Sequence, residues 1–330
     1  MMEADPKIFQ SLDLPFPLSR PVMSASAADS AASPIARLLQ AAVPAVFVVM
    51  WATGFTGARL GLPYAPPLTL LFLRFAIVVA VVLPISLVTR APWPQGWRLR
   101  GHVAVVGLLM HSAYLGGVYC AIAGGVPSGI SALIVGLQPL LTAAVVGPFL
   151  GERVTKLQWL GLAIGLAGVA LVLLDKLHFD HAQSWGVVLA FGGLLSVTAG
   201  TLYQKRFCSH VDLRTGAVIQ YSAASLVLLP LALALGWGPI EWTGELIFAM
   251  AWLVLVLSLG AVSIFYLLIR KGAASRVTSL FYLTPPVAAL LGWILFGESL
   301  GPVALFGMAL TACGVALVMR RSVRWRWGRS

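Results

Sequence analysis

From Leu38 to Met319 the chain alternates long apolar runs with short polar links, and no polar stripe at helical spacing breaks the runs. A helix on the surface of a water-soluble domain needs such a stripe, so these segments face apolar surroundings on every side. A bilayer core takes about 20 apolar residues per crossing helix. Runs of that length cover 38–60, 66–89, 101–123, 127–149, 157–175, 184–204, 214–236, 246–269, 274–296 and 301–319. They are continuously apolar and rich in Leu and Ala, whereas a transmembrane barrel needs alternating strands of about ten residues. The pattern therefore predicts an all-α membrane protein of ten transmembrane helices, with links too short for a soluble domain.

Composition points the same way: 59% of the 330 residues are hydrophobic and 10% charged, about half the usual share of charge. Too few charges remain to cover the surface of soluble domains. The formal net charge of +11 raises the question of nucleic acid, which needs cations gathered on one solvated face. Their placement answers it. With the N-terminus inside, 19 of the 22 Lys and Arg fall in cytoplasmic segments, while Arg59 and Lys176 fall outside and Arg74 lies within a span. That is the positive-inside distribution for an even number of crossings. It predicts a multi-pass protein of the inner (plasma) membrane with both termini cytoplasmic, and no nucleic-acid partner. Residues 1–37 read as a cytoplasmic tail without a cleavable signal peptide, the first span serving as the targeting signal. Met23 could serve as an alternative start, making residues 1–22 an upstream extension. Residues 321–330, with Trp325 and Trp327 among arginines, read as a basic tail at the anionic inner leaflet. Cys120, Cys208 and Cys313 supply neither a disulfide framework nor a metal site.

A displacement of 146 residues lays the chain on itself. Between 137–172 and 283–318, 12 of 36 positions are identical without a gap, against roughly three expected by chance. Pro139 meets Pro285, Gly151-Glu152 meets Gly297-Glu298, and Gly168 to Val172 meets Gly314 to Val318. Two five-helix repeats follow, 38–176 and 184–320. Because five is odd, the second repeat enters the membrane from the opposite side. The charges agree: Arg90, Arg98 and Arg100 follow helix 2, whereas Glu241 and Glu245 follow helix 7. Inverted repeats are a recurrent build of secondary transporters.

Ten helices in two repeats, Trp51 to Phe55 in helix 1, Arg74-Phe75 in helix 2, and a Pro-to-Gly-Glu stretch ending helices 4 and 9 resemble the EamA-type carriers of the drug/metabolite transporter superfamily. The resemblance covers residues 38–320 and implies an exporter or exchanger of small compounds, its cavity lined by helices 1–4 and 6–9. The halves differ where the cavity would lie: Val197 stands opposite Trp51, and Gln220 opposite Arg74.

Arg74 lies eight residues into helix 2, about 12 Å from its outer end. A charge there is costly unless it faces protein or water. No Asp or Glu falls within the body of any span, Asp175 being the last residue of the fifth. Arg74 can either grip an anionic substrate group bidentately or tie helices together through carbonyls and hydroxyls. His111, near the middle of helix 3, is a proton carrier or a neutral interhelical link. Without spanning carboxylates, exchange or downhill efflux is favoured over carboxylate-based ion coupling. Pro139, Pro285 and Pro286 should kink or unwind helices 4 and 9, placing hinges at matching repeat positions. Around them Gln138, Tyr282 and Thr284, with Trp51, Tyr114, Tyr119 and Tyr266, form the expected polar-aromatic substrate lining. Gly161, Gly165 and Gly168 share a helix face, as do Gly307, Thr311 and Gly314, which permits close packing within the chain or between subunits. Glu152 and Glu298 are expected to complement the starts of helices 5 and 10.

No hydrolase, metalloprotease or redox motif accompanies this build, so no enzyme activity, cofactor or metal is expected. The expected function is alternating-access export or exchange of a small metabolite, an amino acid or related compound, by a monomer in the lipid bilayer. The alternative is a flippase for a lipid-linked or phosphorylated headgroup.

Overall fold

The computed structural model describes residues 34–126, 128–174, 184–296 and 301–319. The two tails up to Ser33 and from Arg320, residue 127, Lys176 and the Gly297-Glu298 pair lie outside the described residues, as do the side chains of Phe55, Arg59 and Ser128. The chain divides into two units, Met1–Ala42 and Val43–Ser330. Of the first, the described part is the beginning of helix α1; all that follows concerns the second.

All regular structure among the described residues is helical: α1 (Pro34–Gly61), α2 (Pro67–Val88), α3 (Trp97–Ala123), α4 (Ser128–Val135), α5 (Gln138–Leu150), α6 (Lys156–Leu174), α7 (Ser184–Phe207), α8 (Leu213–Leu235), α9 (Gly244–Lys271), α10 (Ala274–Ser279), α11 (Thr284–Phe296) and α12 (Pro302–Met319). Six of these segments are long and apolar enough to cross a membrane: Pro67–Val88, Trp97–Ala123, Trp185–Phe207, Leu213–Leu235, Gly244–Lys271 and Pro302–Met319. Large apolar side chains stand on their outward faces, with Val88 83% and Leu226 74% exposed, as lipid contact requires.

Two of the ten expected spans are not continuous. The run 127–149 is divided into α4 and α5 by a turn at Gly136 and Leu137, and the run 274–296 into α10 and α11 by a 3-10 turn, Leu280–Leu283. Proline is the physical reason. Pro139 occupies the second position of α5, and Pro285 and Pro286 the second and third of α11, where a helix has no use for the missing N–H. Of the expected kink or unwinding, both segments show a full interruption followed by a new helix. Two long helices are also widened, α3 by a π-helical stretch at Leu108–Ala113 and α9 by one at Leu253–Ala261.

Close packing follows glycine. A methyl group on Gly161 of α6 would lie 2.7 Å from the Gly314 carbonyl oxygen of α12, and one on Gly168 would lie 2.7 Å from the Gly307 carbonyl oxygen. The two small-residue faces meet each other within the chain.

Hydrogen bonds gather the links into two groups. In one, Arg214 donates to Thr89 at 2.8 Å, Thr215 to the Pro92 carbonyl at 2.8 Å, Arg206 to the Phe149 carbonyl and Arg270 to the Val211 carbonyl. Lys205 pairs with Glu152 at 2.6 Å. Asp212 caps α8 by accepting from the Arg214 amide at 2.9 Å, and the Arg214 side chain donating to it holds its carboxyl below the ordinary value. In the other group, Tyr64 donates to Glu245, and its carbonyl accepts from the Glu241 amide at 3.0 Å. Links assigned to opposite sides by their charge therefore stand at opposite ends. Glu152 has a different partner from the one expected: it accepts from the Ala274 amide at 3.0 Å, at the start of α10 rather than of α6.

Candidate functional site

Five of the expected lining residues meet around one cavity. Trp51 and Ala58 of α1, Arg74 of α2, a stripe of α3 from Met110 to Ile122, and Leu257 and Val262 of α9 enclose about 660 Å³ of free space, counted out to its mouth. The stripe holds His111, Tyr114 and Tyr119, which Leu115, Val118 and Ile122 join at the three- and four-residue spacings of one helical face. Ala58 and Ile122 lie near the ends of α1 and α3, so the cavity runs from mid-helix toward the Tyr64–Glu245 end. The opposite end is the one cross-linked by Lys205, Arg206, Arg214 and Arg270.

Arg74 is the charged group of this cavity. It is 5% exposed, and its Nε donates to Ser258 Oγ at 2.9 Å while Nη1 reaches Tyr119 Oη at 3.5 Å. The ion pairs among the described residues are Lys205–Glu152 and Arg214–Asp212, so Arg74 has no carboxylate partner among them. Its Nη2 has no hydrogen-bond partner among them either, so this cavity-lining side chain keeps guanidinium donors unused by the described residues. Ser258 is held from two sides, since its carbonyl accepts from Tyr221 Oη at 3.0 Å. That carbonyl lies in the π-helical stretch of α9.

His111 sits on the π-helical stretch of α3. Its ring stacks on Tyr221 with centroids 4.2 Å apart, and its Nε2 lies 3.4 Å from Gln220 Oε1. Gln220 Oε1 also accepts from Tyr266 Oη at 3.0 Å, and Gln220 Nε2 donates to Gln204 Oε1 at 3.3 Å. Tyr266 thus belongs to a buried network behind the cavity. Trp51 presents its ring among Phe47, Phe265 and Phe281, with centroids 5.0–5.8 Å away.

The remaining expected residues stand at the helix interruptions. Gln138 is fully buried and donates to Thr201 Oγ1 at 3.2 Å. Tyr282 is fully buried against Gly165, and Thr284 is buried at the start of α11. Among the described residues, Gln138 Oε1, Thr142 Oγ1, Ser131 Oγ, Tyr282 Oη and Thr284 Oγ1 are buried polar atoms without a hydrogen-bond partner, and all but Ser131 lie within three residues of Pro139 or Pro285 in the chain. None of Gln138, Tyr282, Thr284 and Tyr266 borders the cavity that Arg74 faces. Ser258 and Tyr221 had not been singled out from sequence. The signal available was the 146-residue displacement, which sets Ser258 opposite Ser112 and Tyr221 opposite Phe75. No group of three or more potential metal ligands occurs among the described residues.

Comparison with known proteins bears on the whole of this arrangement. Residues 41–174 and 184–320 each match the EamA-like transporter family. The uncharacterized inner membrane transporter YedA of Escherichia coli is 31% identical over 273 residues, covering 82% of this chain and 87% of that protein. A probable terminal-alkyne amino-acid exporter of Streptantibioticus cattleyicolor is 29% identical over 287 residues, 84% of this chain and 92% of its own. A probable amino-acid metabolite efflux pump of Escherichia coli is 27% identical over 291 residues, 84% and 94% of the two chains. Among solved structures, one crystal structure aligns with a TM-score of 0.69 over 84% of this chain and 96% of the other at 19% identity, a likeness of fold.

Proposed function

The chain belongs to the EamA-like transporter family, and from that premise we propose that it exports or exchanges a small metabolite, an amino acid or related compound, across the inner (plasma) membrane by alternating access. The observation that carries the reading is the cavity that holds a buried Arg74 without a carboxylate partner among the described residues, inside a helical bundle with apolar outer faces. A cation in that position is stabilised by water or by an anion that enters from outside the protein. Trp51, Arg74, His111, Tyr114 and Tyr119 are the residues proposed to meet the substrate.

The proposed architecture is ten spans in two inverted repeats, 38–176 and 184–320, with both termini cytoplasmic. Element boundaries support it: a displacement of 146 carries Gln138–Leu150 onto Thr284–Phe296 and places the π-helical stretch of α3 within that of α9. Two separate family matches, one per half, support it further. Alternating access draws support from the contrast between the ends: the cavity runs toward the Tyr64–Glu245 end, while Lys205, Arg206 and Arg270 tie links together at the other. The unpartnered polar atoms beside Pro139, Pro285 and Pro286 add to this, because buried polar groups without partners favour any state that wets them. In that state Gln138, Tyr282 and Thr284 would line the path, with the prolines as hinges. The relatives' names, an amino-acid exporter and an amino-acid metabolite efflux pump, support export of a compound of that kind.

The direct test compares the metabolites released by cells with and without the protein. At least one small compound should accumulate outside only when the protein is present. An unchanged profile from cells shown to carry the protein in the membrane would overturn the proposal.

A further inference from the structure

We infer that the cavity selects a monocarboxylate with an apolar or aromatic body and no free ammonium group, such as a deaminated or N-acylated amino acid, over a zwitterionic amino acid. The inference rests on the exporter reading and concerns its substrate. It begins from the balance of charge. Arg74 brings one fixed positive charge to the cavity, and the described lining residues bring no negative one. The sequence extends the point beyond the described residues, since its eleven acidic side chains stand in the tails, the links or, at Asp175, the end of a span. In the structure, Glu152 and Asp212 are engaged at one end of the bundle, and Tyr64 engages Glu245 at the other. One carboxylate therefore neutralises the site, whereas a phosphate dianion brings an excess negative charge into a poorly solvated space.

Geometry gives the carboxylate its place. Ser258 Oγ fixes Nε at 2.9 Å and Tyr119 Oη lies 3.5 Å from Nη1, so the guanidinium is held in one orientation with donors to spare. A carboxylate matches that planar fork with two parallel hydrogen bonds. An α-ammonium on the same molecule would be carried into the field of Arg74. The acceptors it would find among the lining side chains are neutral, the tyrosine hydroxyls and the His111 ring. The rest of the wall, Ala58, Leu115, Ile122, Leu257 and Val262 with the Trp51 ring, suits a hydrocarbon or arene.

The test uses ligands that share one ring: 3-phenylpropionate, phenylalanine, 2-phenylethylamine and phenyl phosphate. Binding to the purified full chain and counterflow in proteoliposomes are measured for each. Phenylpropionate should bind at least tenfold more tightly than phenylalanine and drive counterflow, while phenylethylamine does neither. Arg74→Gln should weaken phenylpropionate binding at least tenfold, and Arg74→Lys should recover part of it. The wild-type ranking stands as a test even if the Gln variant misfolds. Phenylalanine bound as tightly as the acid overturns the inference and leaves the exporter reading intact, and so does phenyl phosphate bound more tightly than phenylpropionate. Failure to bind any of the four by a protein that alters the released metabolites also overturns it. An unaltered release profile is the separate failure of the exporter reading.

Discussion

Gln220 shows how much a single side chain can hold together in an apolar bundle. It occupies the position related by 146 residues to Arg74, yet it serves as a junction rather than a cavity group. Its Oε1 takes the Tyr266 hydroxyl and faces His111, and its Nε2 gives to Gln204, so both ends of the amide are used. Leucine at 220 would leave all three partners buried and short of a partner, and each stranded group costs about 1–3 kcal/mol. Gln220→Leu should therefore lower the unfolding free energy in mixed micelles by about 3 kcal/mol or more. Tyr266→Phe, which removes one donor and leaves His111 facing the amide, should cost about 1 kcal/mol. Equal losses in the two variants would show that the junction carries no shared load. The same chemistry explains what was legible at this scale. Trp51, Arg74, His111, Tyr114 and Tyr119 stood out because polar or bulky aromatic groups are conspicuous in apolar runs, and they meet in one cavity. Gln138, Tyr266, Tyr282 and Thr284 were equally conspicuous but point elsewhere, because residue type tells that a group needs a partner without telling which face it takes. Ser258 escaped notice because hydroxyls in helices commonly bond their own preceding turn, as Thr198, Thr201 and Thr311 do.

At the scale of the helices, periodicity located apolar segments well and their interruptions less well. Length and hydropathy treat 127–149 as one run, since a turn buried among other helices keeps apolar residues throughout. Only Pro139 and Pro285-Pro286 betrayed the divisions, and a proline reads alike for a kink and for the first turn of a new helix. The π-helical stretches had no sequence signature to find. Glycine was more informative, because spacing on one face states where another backbone can come close. The pairing of α6 with α12 makes this measurable. A methyl group on Gly161 would meet the Gly314 carbonyl oxygen at 2.7 Å and Val318 at 2.9 Å, so the helices must separate. Gly161→Ala should cost about 1–3 kcal/mol of stability by overpacking. Gly192 of α7 is the control, with nothing within 4 Å of the added methyl. There alanine should be neutral or stabilise by roughly 0.5–1 kcal/mol through helix propensity. Thermal unfolding in detergent separates the two, and a Gly161→Ala variant as stable as Gly192→Ala would mean that α6 and α12 do not pack through this face.

For the molecule as a whole, the decisive question is which end faces which compartment, because direction of transport has meaning only after that. Charge sorting assigned the links around Arg90, Arg206, Arg214 and Arg270 to the cytoplasm and those around Tyr64 and Glu245 to the outside. The hydrogen bonds join members of each set to one another, an outcome that the charge rule did not presuppose. Two independent criteria thus divide the links in the same way. Placing single cysteines in a cysteine-free background identifies the compartment. Trp242, 59% exposed among the links of one end, and Gln95, exposed among those of the other, suit the purpose because a thiol at either position is open to a reagent. In intact cells a membrane-impermeant thiol reagent should label Trp242→Cys and spare Gln95→Cys, and inside-out vesicles should reverse the pattern. Labelling of both from one side would overturn the division into two ends. A reversed pattern in intact cells would keep the division and invert the orientation, turning the cavity toward the cytoplasm and making this conformation the loading state of an exporter rather than its release state.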